Sequence, residues 1–396
     1  MLKFAHAPMV VGLLAATLPA ADKTDKPQAP VFSSEVSLVS IPVFVTDRSG
    51  KALPGLSVDD FEVYEDGKRV PIVAFQSVDT TSAEDQEQIR QAPAARRRFL
   101  FLFDLSFTDP SGLHRAQAAA RQFVRTKLAD SDLAAVATFD TNRGVRIVAN
   151  FGEDRALMGR AMETLGSPAL ARFTDPLSLA ATFESTDFQA AGSGKGQEGN
   201  QAQTDSILAF LQRRMRQADE NLYRQQVSHL IGSLEELGEA LRGVEGRKQV
   251  LYFSAGFDSQ ALTGATGDQA RQASEAVAEG RLWEVDSNAR YGDNRLRDTY
   301  GAMAKVLANA DCVVHAVDVT GLGTDSSLTQ TAYLKDTARN TAGRDSLQFI
   351  SSETGGRFFK DTNNLNDVLD EVQAMTARYY ILGYQPGVVK GTGQFH

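Results

Sequence analysis

The clearest indication of a fold lies in RFLFLFDLSFTDP, residues Arg98–Pro110. The continuous apolar run Phe99–Phe103 ends abruptly at Asp104, which is typical of a strand buried on both faces of a parallel sheet. From Leu113 to Leu128 apolar residues recur at helical spacing, so the polar stretch in between is a strand-to-helix crossover. Open α/β sheets bind ligands beyond the carboxyl ends of their strands, which makes this crossover a candidate binding region.

Three side chains with short oxygen-bearing groups, Asp104, Ser106 and Thr108, alternate along the crossover. They can converge on one hard cation, because Mg²⁺ takes oxygen ligands and keeps part of its water. A plainer alternative is that Asp104 caps the turn that follows the strand. The sequence by itself is compatible with both interpretations.

Beyond Arg98, strand patterns and helix patterns alternate along the chain. Further strand candidates are residues 133–139, 145–149, 249–253 and 312–317, and helix candidates are 154–165, 206–241, 296–308, 345–353 and 365–377. This alternation predicts an α/β fold with a doubly wound, mostly parallel sheet. The short turn Asp140–Gly144 makes its two flanking strands an antiparallel pair, so we expect one antiparallel edge strand.

The chain before residue 98 has a different character. Residues 1–20 resemble a secretory signal peptide, with Lys3 ahead of the apolar stretch Met9–Leu18; a disordered start is the alternative. Residues 21–30 indicate a linker. Short alternating runs in residues 31–80 predict a small β-sandwich-like module.

Three further segments complete the organisation. Residues 81–97 are polar with little periodicity and indicate a second linker. Residues 186–205 are rich in Gly and Gln and predict a flexible insertion. Residues 379–396 begin with a strand and end on what looks like the opening of another, so we expect the protein to continue beyond His396.

Composition excludes some functions. The formal net charge of −9 argues against a nucleic-acid partner, since that affinity rests on neutralising phosphates. After the signal peptide, no segment approaches the ~20 apolar residues that span a bilayer. Cys312 is the single cysteine and cannot form an intrachain disulfide. The cluster Arg96–Arg98 indicates charged residues that protect the following strand from aggregation.

Several segments in this order resemble the von Willebrand factor A (vWA) domain, specifically the VWFA-related family abundant in Acidobacteria. The segments are Val43–Asp47, Leu56–Gly67, Phe103–Ser106, Leu251–Gly256, Glu353–Phe359 and Tyr379–Tyr384. The resemblance implies a Rossmann-like vWA domain over residues 98–378, flanked by the β-rich module. It also implies that the C-terminal strand returns to pair with that module.

The resemblance further implies a metal-ion-dependent adhesion site. Such a site takes Asp-x-Ser-x-Ser, a Thr from a later loop and an Asp at the end of the fourth strand. Asp104 and Ser106 match, and Thr108 keeps the hydroxyl of the second Ser. Thr174 is the best match for the later Thr, although Asp175-Pro176 after it suits a plain helix N-cap equally well.

The chain departs from the family pattern at the fourth strand. It has Ser254-Ala255-Gly256 where relatives have Ser-Asp-Gly, so one carboxylate is missing. Asp258 lies in the same loop and could substitute for it or hold a water molecule. Because ligand charge tunes cation affinity, two outcomes follow: a weakened site that a carboxylate of the ligand completes, or a metal-free surface.

We therefore expect a secreted or periplasmic protein that binds a protein ligand, with Mg²⁺, Mn²⁺ or Ca²⁺ as the candidate bridge to an acidic residue of that ligand. The rival hypothesis is a metal-independent structural or scaffold module of the cell envelope. An enzyme is disfavoured, because no Ser-His-Asp pattern, nucleophile elbow or Cys-His pair is evident.

Overall fold

The computed structural model describes residues 39–47, 50–165, 198–264, 267–280, 292–321 and 343–386. The predicted signal peptide (1–20), the first linker (21–30), Thr174 and residues 387–396 lie outside the described residues.

Strands and helices alternate through most of the described chain. The strands are β1 (Val39–Val43), β2 (Val63–Glu65), β3 (Lys68–Val70), β4 (Ile72–Asp79), β5 (Arg98–Asp104), β6 (Leu133–Asp140), β7 (Gly144–Gly152), β8 (Lys248–Ser254), β9 (Cys312–Asp318), β10 (Phe358–Phe359) and β11 (Arg378–Tyr384). The α-helices are α1 (Ala83–Gln91), α2 (Pro110–Thr126), α3 (Arg155–Glu163), α4 (Glu198–Arg242), α5 (Gln260–Thr263), α6 (Gly267–Ala278), α7 (Asn294–Asn309), α8 (Arg344–Glu353) and α9 (Leu365–Thr376).

A six-stranded sheet with the order β10-β9-β8-β5-β6-β7 forms the centre. Its neighbours pair in parallel, except for β6 and the edge strand β7, which are antiparallel. Every residue of β5, β8 and β9 is buried, as expected for strands covered on both faces. The predicted α/β fold class and its antiparallel edge strand are confirmed.

Alternate side chains of β5 supply the two cores that cover this sheet. Phe99, Phe101 and Phe103 pack on one face with residues of α2, α3 and α9. Leu100 and Leu102 pack on the other face with residues of α4, α7 and α8. Because side chains alternate along a strand, an unbroken apolar run is what a two-sided core requires.

The N-terminal strands join the rest of the chain through β11. A three-stranded antiparallel sheet has the order β1-β11-β4, and β2 and β3 form a separate hairpin. Tyr379 of β11 stacks on Phe44 and donates its hydroxyl to the carbonyl oxygen of Ala95 at 2.6 Å. Tyr380 donates its hydroxyl to the carbonyl oxygen of Leu53 at 2.8 Å. The C-terminal strand is therefore the central strand of this sheet.

The expectation of a linker over residues 81–97 needs correction, because helix α1 and a 3-10 turn at Pro93–Ala95 occupy most of this segment. Ser82 caps the start of the helix, and its side chain accepts the N–H of Asp85. Ile89 is its one buried residue and packs with Val78 and Tyr379. A single apolar anchor gives no helical periodicity, so the sequence pattern missed it.

The expectation of a flexible insertion over residues 186–205 needs correction for the last part of this segment. Residues 198–205 form the start of α4, a helix of 45 residues; the remainder lies outside the described residues. Extending an existing helix costs little per residue, since nucleation carries most of the cost. Among the described residues, no helix has both the length and the apolar character needed to cross a membrane.

The sequence indicates that the cluster Arg96–Arg98 is exposed and protects the following strand from aggregation, but the structure gives it another role. Arg97 is 2% exposed, and its guanidinium forms two hydrogen bonds with the Asp132 carboxylate, at 2.6 and 2.8 Å. The same guanidinium donates to the carbonyl oxygen of Thr376 at 3.0 Å. Arg97 therefore links the start of β5 to the loop before β6 and the end of α9.

Replacing Arg97 with Met should lower the free energy of unfolding by about 3–5 kcal/mol, because Asp132 would remain buried without its partner. The control is Arg242→Met, which breaks an ion pair whose side chains are both about half exposed and should cost less than about 1 kcal/mol. Urea unfolding of both variants measures the difference. Equal losses would contradict the role given to Arg97.

His315 of β9 is buried inside the sheet and has two fixed partners. Its Nδ1 accepts the backbone N–H of Arg357 at 3.3 Å, and its Nε2 lies 2.9 Å from Oε1 of Gln249. The neutral ring therefore carries its proton on Nε2. Burial lowers the pKa of His315 from 6.5 to about 3, and the charges of Arg247 and Arg357 act in the same direction.

This depressed pKa predicts loss of stability in acid. Between about pH 6 and pH 4 the unfolded chain binds a proton at His315 and the folded chain does not, so stability falls by up to about 1.4 kcal/mol per pH unit as pH decreases. His315→Asn keeps an acceptor for the Arg357 N–H but cannot titrate. Urea unfolding across this range should show a shallower pH dependence in the variant; parallel curves would refute the assignment.

Candidate functional site

The candidate site lies at the carboxyl-terminal edge of the central sheet, between β5 and β8. From β5 the chain builds the sheet in one direction to β6 and β7, and then returns through α4 to place β8 on the other side of β5. Open α/β sheets bind ligands at such a point, where the strand order reverses. We call this edge, residues 104–109, 141–143 and 254–260, the sheet tip.

Asp104, the last residue of β5, forms the centre of the sheet tip and is completely buried. Its Oδ1 accepts the backbone N–H groups of Ser106 and Phe107, each at 2.9 Å. Its Oδ2 accepts the hydroxyl groups of Ser254 at 2.6 Å and Tyr252 at 3.0 Å. A carboxylate offers about four lone-pair positions, so these hydrogen bonds occupy all of them.

Strand register explains how two donors from a distant part of the chain reach Asp104. Strands β5 and β8 are parallel neighbours with Phe103 beside Phe253, so Ser254 follows next to Asp104. Because side chains alternate along a strand, Tyr252 and Ser254 face the same side of the sheet. The two hydroxyls therefore arrive on the same carboxylate oxygen.

Burial controls the ionisation of Asp104 and Tyr252. Loss of solvent raises the pKa of Asp104, and its hydrogen bonds with Phe107, Ser254, Ser106 and Tyr252 oppose that shift. Burial also raises the pKa of Tyr252 well above its ordinary value, and the charge of Asp104 adds to the rise. Tyr252 is therefore held in its protonated, donating form.

The two hydroxyl residues of the predicted motif have different surroundings. The Ser106 hydroxyl accepts the backbone N–H of Thr141 at 2.9 Å and lies 3.3 Å from the Thr141 hydroxyl. Thr108 is 5% exposed, and its hydroxyl has no hydrogen-bond partner among the described residues. Asp104, Ser106 and Thr108 thus all lie in the sheet tip, but of the two hydroxyls only that of Ser106 has a hydrogen-bond partner among the described residues.

The loop after β8 brings no carboxylate to Asp104. Ala255 is buried, and a Cβ on Gly343, at the start of α8, would collide with the Ala255 carbonyl oxygen. Oδ1 of Asp258 accepts the backbone N–H of Gln260 at 2.9 Å, and the Asp258 N–H donates to the hydroxyl of Tyr223 at 2.6 Å. In the described residues no hydrogen bond joins Asp258 to Asp104.

Sequence reasoning missed three polar residues at this edge: Tyr252, Ser254 and Asp318. A signal for the first two was present, because they are polar-tipped residues at alternate positions just after the apolar residues Val250 and Leu251. Asp318 ends β9 and is 1% exposed. Its Oδ2 accepts from Nε of Arg344 at 2.9 Å, so this carboxylate already has a positive partner.

The residues present do not fit the divalent cation that the family resemblance implies. Magnesium needs oxygen ligands with free lone pairs, usually one or two carboxylates. Protein donors occupy the lone pairs of Asp104, Arg344 pairs with Asp318, and position 255 offers only a methyl group. Within the described ranges, no group of three or more His, Cys, Asp or Glu side chains could hold a metal.

Comparison with known proteins gives no family assignment. No protein-family model matches the chain, and no curated protein matches it either.

The chain is similar to several solved structures, at low identity and low TM-score. BatB from Bacteroides thetaiotaomicron is 12% identical over 70% of this chain and 98% of its own, with a TM-score of 0.31. The vWF domain of the type V pili tip protein Mfa5 from Porphyromonas gingivalis is 12% identical over 70% and 94%, with a TM-score of 0.34. The SpRpn10 VWA domain is 10% identical over 52% and 95%, with a TM-score of 0.19.

At these TM-scores the fold assignment rests on the strand order of the chain itself.

The contact between Gly343 and the loop after β8 predicts a stability effect. Gly343→Ala should lower the free energy of unfolding by about 1–3 kcal/mol, since backbone atoms must move apart to admit the methyl group. Gly159→Ala is the matched control, because a Cβ at Gly159 in α3 meets nothing within 4 Å. That variant should gain about 0.5–1 kcal/mol through helix propensity. Urea unfolding that gave both variants the same sign would contradict the contact.

Proposed function

We propose that the chain is an exported, non-enzymatic protein-interaction module with a vWA-type domain, and that it binds its partner at the sheet tip. This role covers adhesion as well as assembly in the cell envelope. Export is supported by the signal-peptide pattern of residues 1–20. The vWA type is supported by Phe103–Ser106, which ends the central strand of a mostly parallel sheet.

This proposal rests on the hydrogen bonds and ring contact that join three loops where the strand order of the sheet reverses. The Ser106 hydroxyl accepts from Thr141, which ties the loop after β5 to the turn after β6. The ring of Tyr223 in α4 contacts that of Phe107, and its hydroxyl accepts from Asp258 in the loop after β8. A surface that is ordered before binding loses less conformational freedom when a partner docks.

Of the two hypotheses for the sheet tip, we propose the metal-independent one. A cation that bridges to an acidic residue of a partner needs a ligand oxygen with a free lone pair. Asp104 would first have to release at least one of its four donors. Binding through the partly exposed loop residues themselves needs no such rearrangement.

A non-enzymatic role is supported by the state of the same carboxylate. A general base must accept a proton from its substrate, and Asp104 has no unoccupied lone pair and no exposure to solvent.

The proposal predicts capture of a protein partner that chelation does not reverse. Immobilised full-length chain should retain the same protein from the native envelope fraction with and without EDTA. The double variant Asn142→Arg/Gln260→Arg, which changes the sheet tip, should reduce capture by roughly tenfold or more, as expected for a central interface position.

Glu236→Arg is the control, since Glu236 is exposed on α4 thirteen residues beyond Tyr223, about 20 Å along the helix. Its capture should equal that of the unmodified chain. Capture that EDTA abolishes would favour the metal-bridged hypothesis. Equal losses in both variants would place binding elsewhere.

A further inference from the structure

We propose that the phenol of Tyr252 closes the sheet tip to divalent cations by taking the place that a metal ligand bond would hold on Asp104. The inference deepens the proposed function and rests on it, because it explains how the tip is ordered without metal. Tyr252 is a positioning residue here, and its role is to hold a neighbouring carboxylate.

The first step is electrostatic. Moving a carboxylate out of water costs several kcal/mol unless a charge or hydrogen bonds compensate it. At Asp104 the compensation consists of four donors and includes no cationic side chain among the hydrogen bonds. Hydrogen bonds to an ionised acceptor are short and strong, and the 2.6 Å bond from Ser254 belongs to that class.

The second step is geometric and separates Tyr252 from Ser254. The Ser254 hydroxyl accepts the backbone N–H of Gly256 at 2.9 Å, which leaves its single proton to Asp104. Ser254 therefore also shapes the local turn. The Tyr252 hydroxyl, in contrast, is fixed on Asp104 at 3.0 Å by a ring that is 3% exposed. Among the described residues this hydroxyl makes no hydrogen bond with the loop backbone.

The third step concerns the oxygen left over at the tip. The Thr108 hydroxyl is buried and has no partner among the described residues, and buried polar atoms in folded proteins almost always have one. Thr108 occupies the third position of the Asp-x-Ser-x-Thr stretch. Thr108 is therefore the hydroxyl at the tip that stays available to a cation once the Tyr252 phenol is removed.

The test measures metal-dependent thermal unfolding of the full chain with no partner present. The unmodified chain should show the same Tm in EDTA and in MnCl₂ or MgCl₂ on the order of 10 mM. This concentration is far above the dissociation constants at which calcium sensor proteins bind their metal. Tyr252→Phe should show a metal-dependent rise in Tm of about 3 °C, as expected when a ligand binds only the folded state. EDTA should reverse the rise.

Two further variants sharpen the result. Tyr252→Phe/Ala255→Asp restores a carboxylate and should give a larger rise, with a heat of Mn²⁺ binding in calorimetry; if it fails to fold, Tyr252→Phe alone decides. Tyr300→Phe is the matched control, because Tyr300 is also buried and donates its hydroxyl to Ser346 instead. Its Tm should not respond to metal.

Two outcomes would overturn the inference. In the first, the unmodified chain responds to metal as strongly as Tyr252→Phe; in the second, Tyr252→Phe shows no response. The first outcome would also count against the metal-independent form of the proposed function, and the second leaves it untouched. Protein binding at the sheet tip is decided separately, by capture with the Asn142→Arg/Gln260→Arg variant.

Discussion

A carboxylate that has lost its water must receive hydrogen bonds from the protein, and Asp104 receives four. Two come from the backbone of its own loop and two from β8. The same group therefore sets the turn after β5 and joins the two strands between which the sheet changes direction. Because an unsatisfied buried charge is so costly, the loop and the strand cannot be altered independently.

Much of the fold was predictable because its strands are buried on both faces. Such strands are largely apolar, and the apolar runs within 98–104, 248–254 and 312–318 stand out from the polar loops around them. Helix α1 was not predictable, because tertiary contacts of one residue, Ile89, hold it in place. The early start of α4 was also missed, since its first residues are polar and repeat no apolar spacing.

The candidate site was predictable only where it is local in sequence. Asp104, Ser106 and Thr108 lie within five residues and were found together. Tyr252 and Ser254 are 148 and 150 residues away from Asp104, and nothing in a single sequence states which strands are neighbours. Their contribution depends on register, which the hydrophobic pattern of both strands and the fold around them determine jointly.

The position of β11 has a consequence for how the protein is made. Of the three strands of this sheet, the central strand β11 is synthesised last. The Tyr380 hydroxyl in this strand donates to the carbonyl oxygen of Leu53, 327 residues earlier. Strands β1 and β4 therefore leave the ribosome without the partner that lies between them. Contacts this distant in sequence form late and slow the folding of a chain.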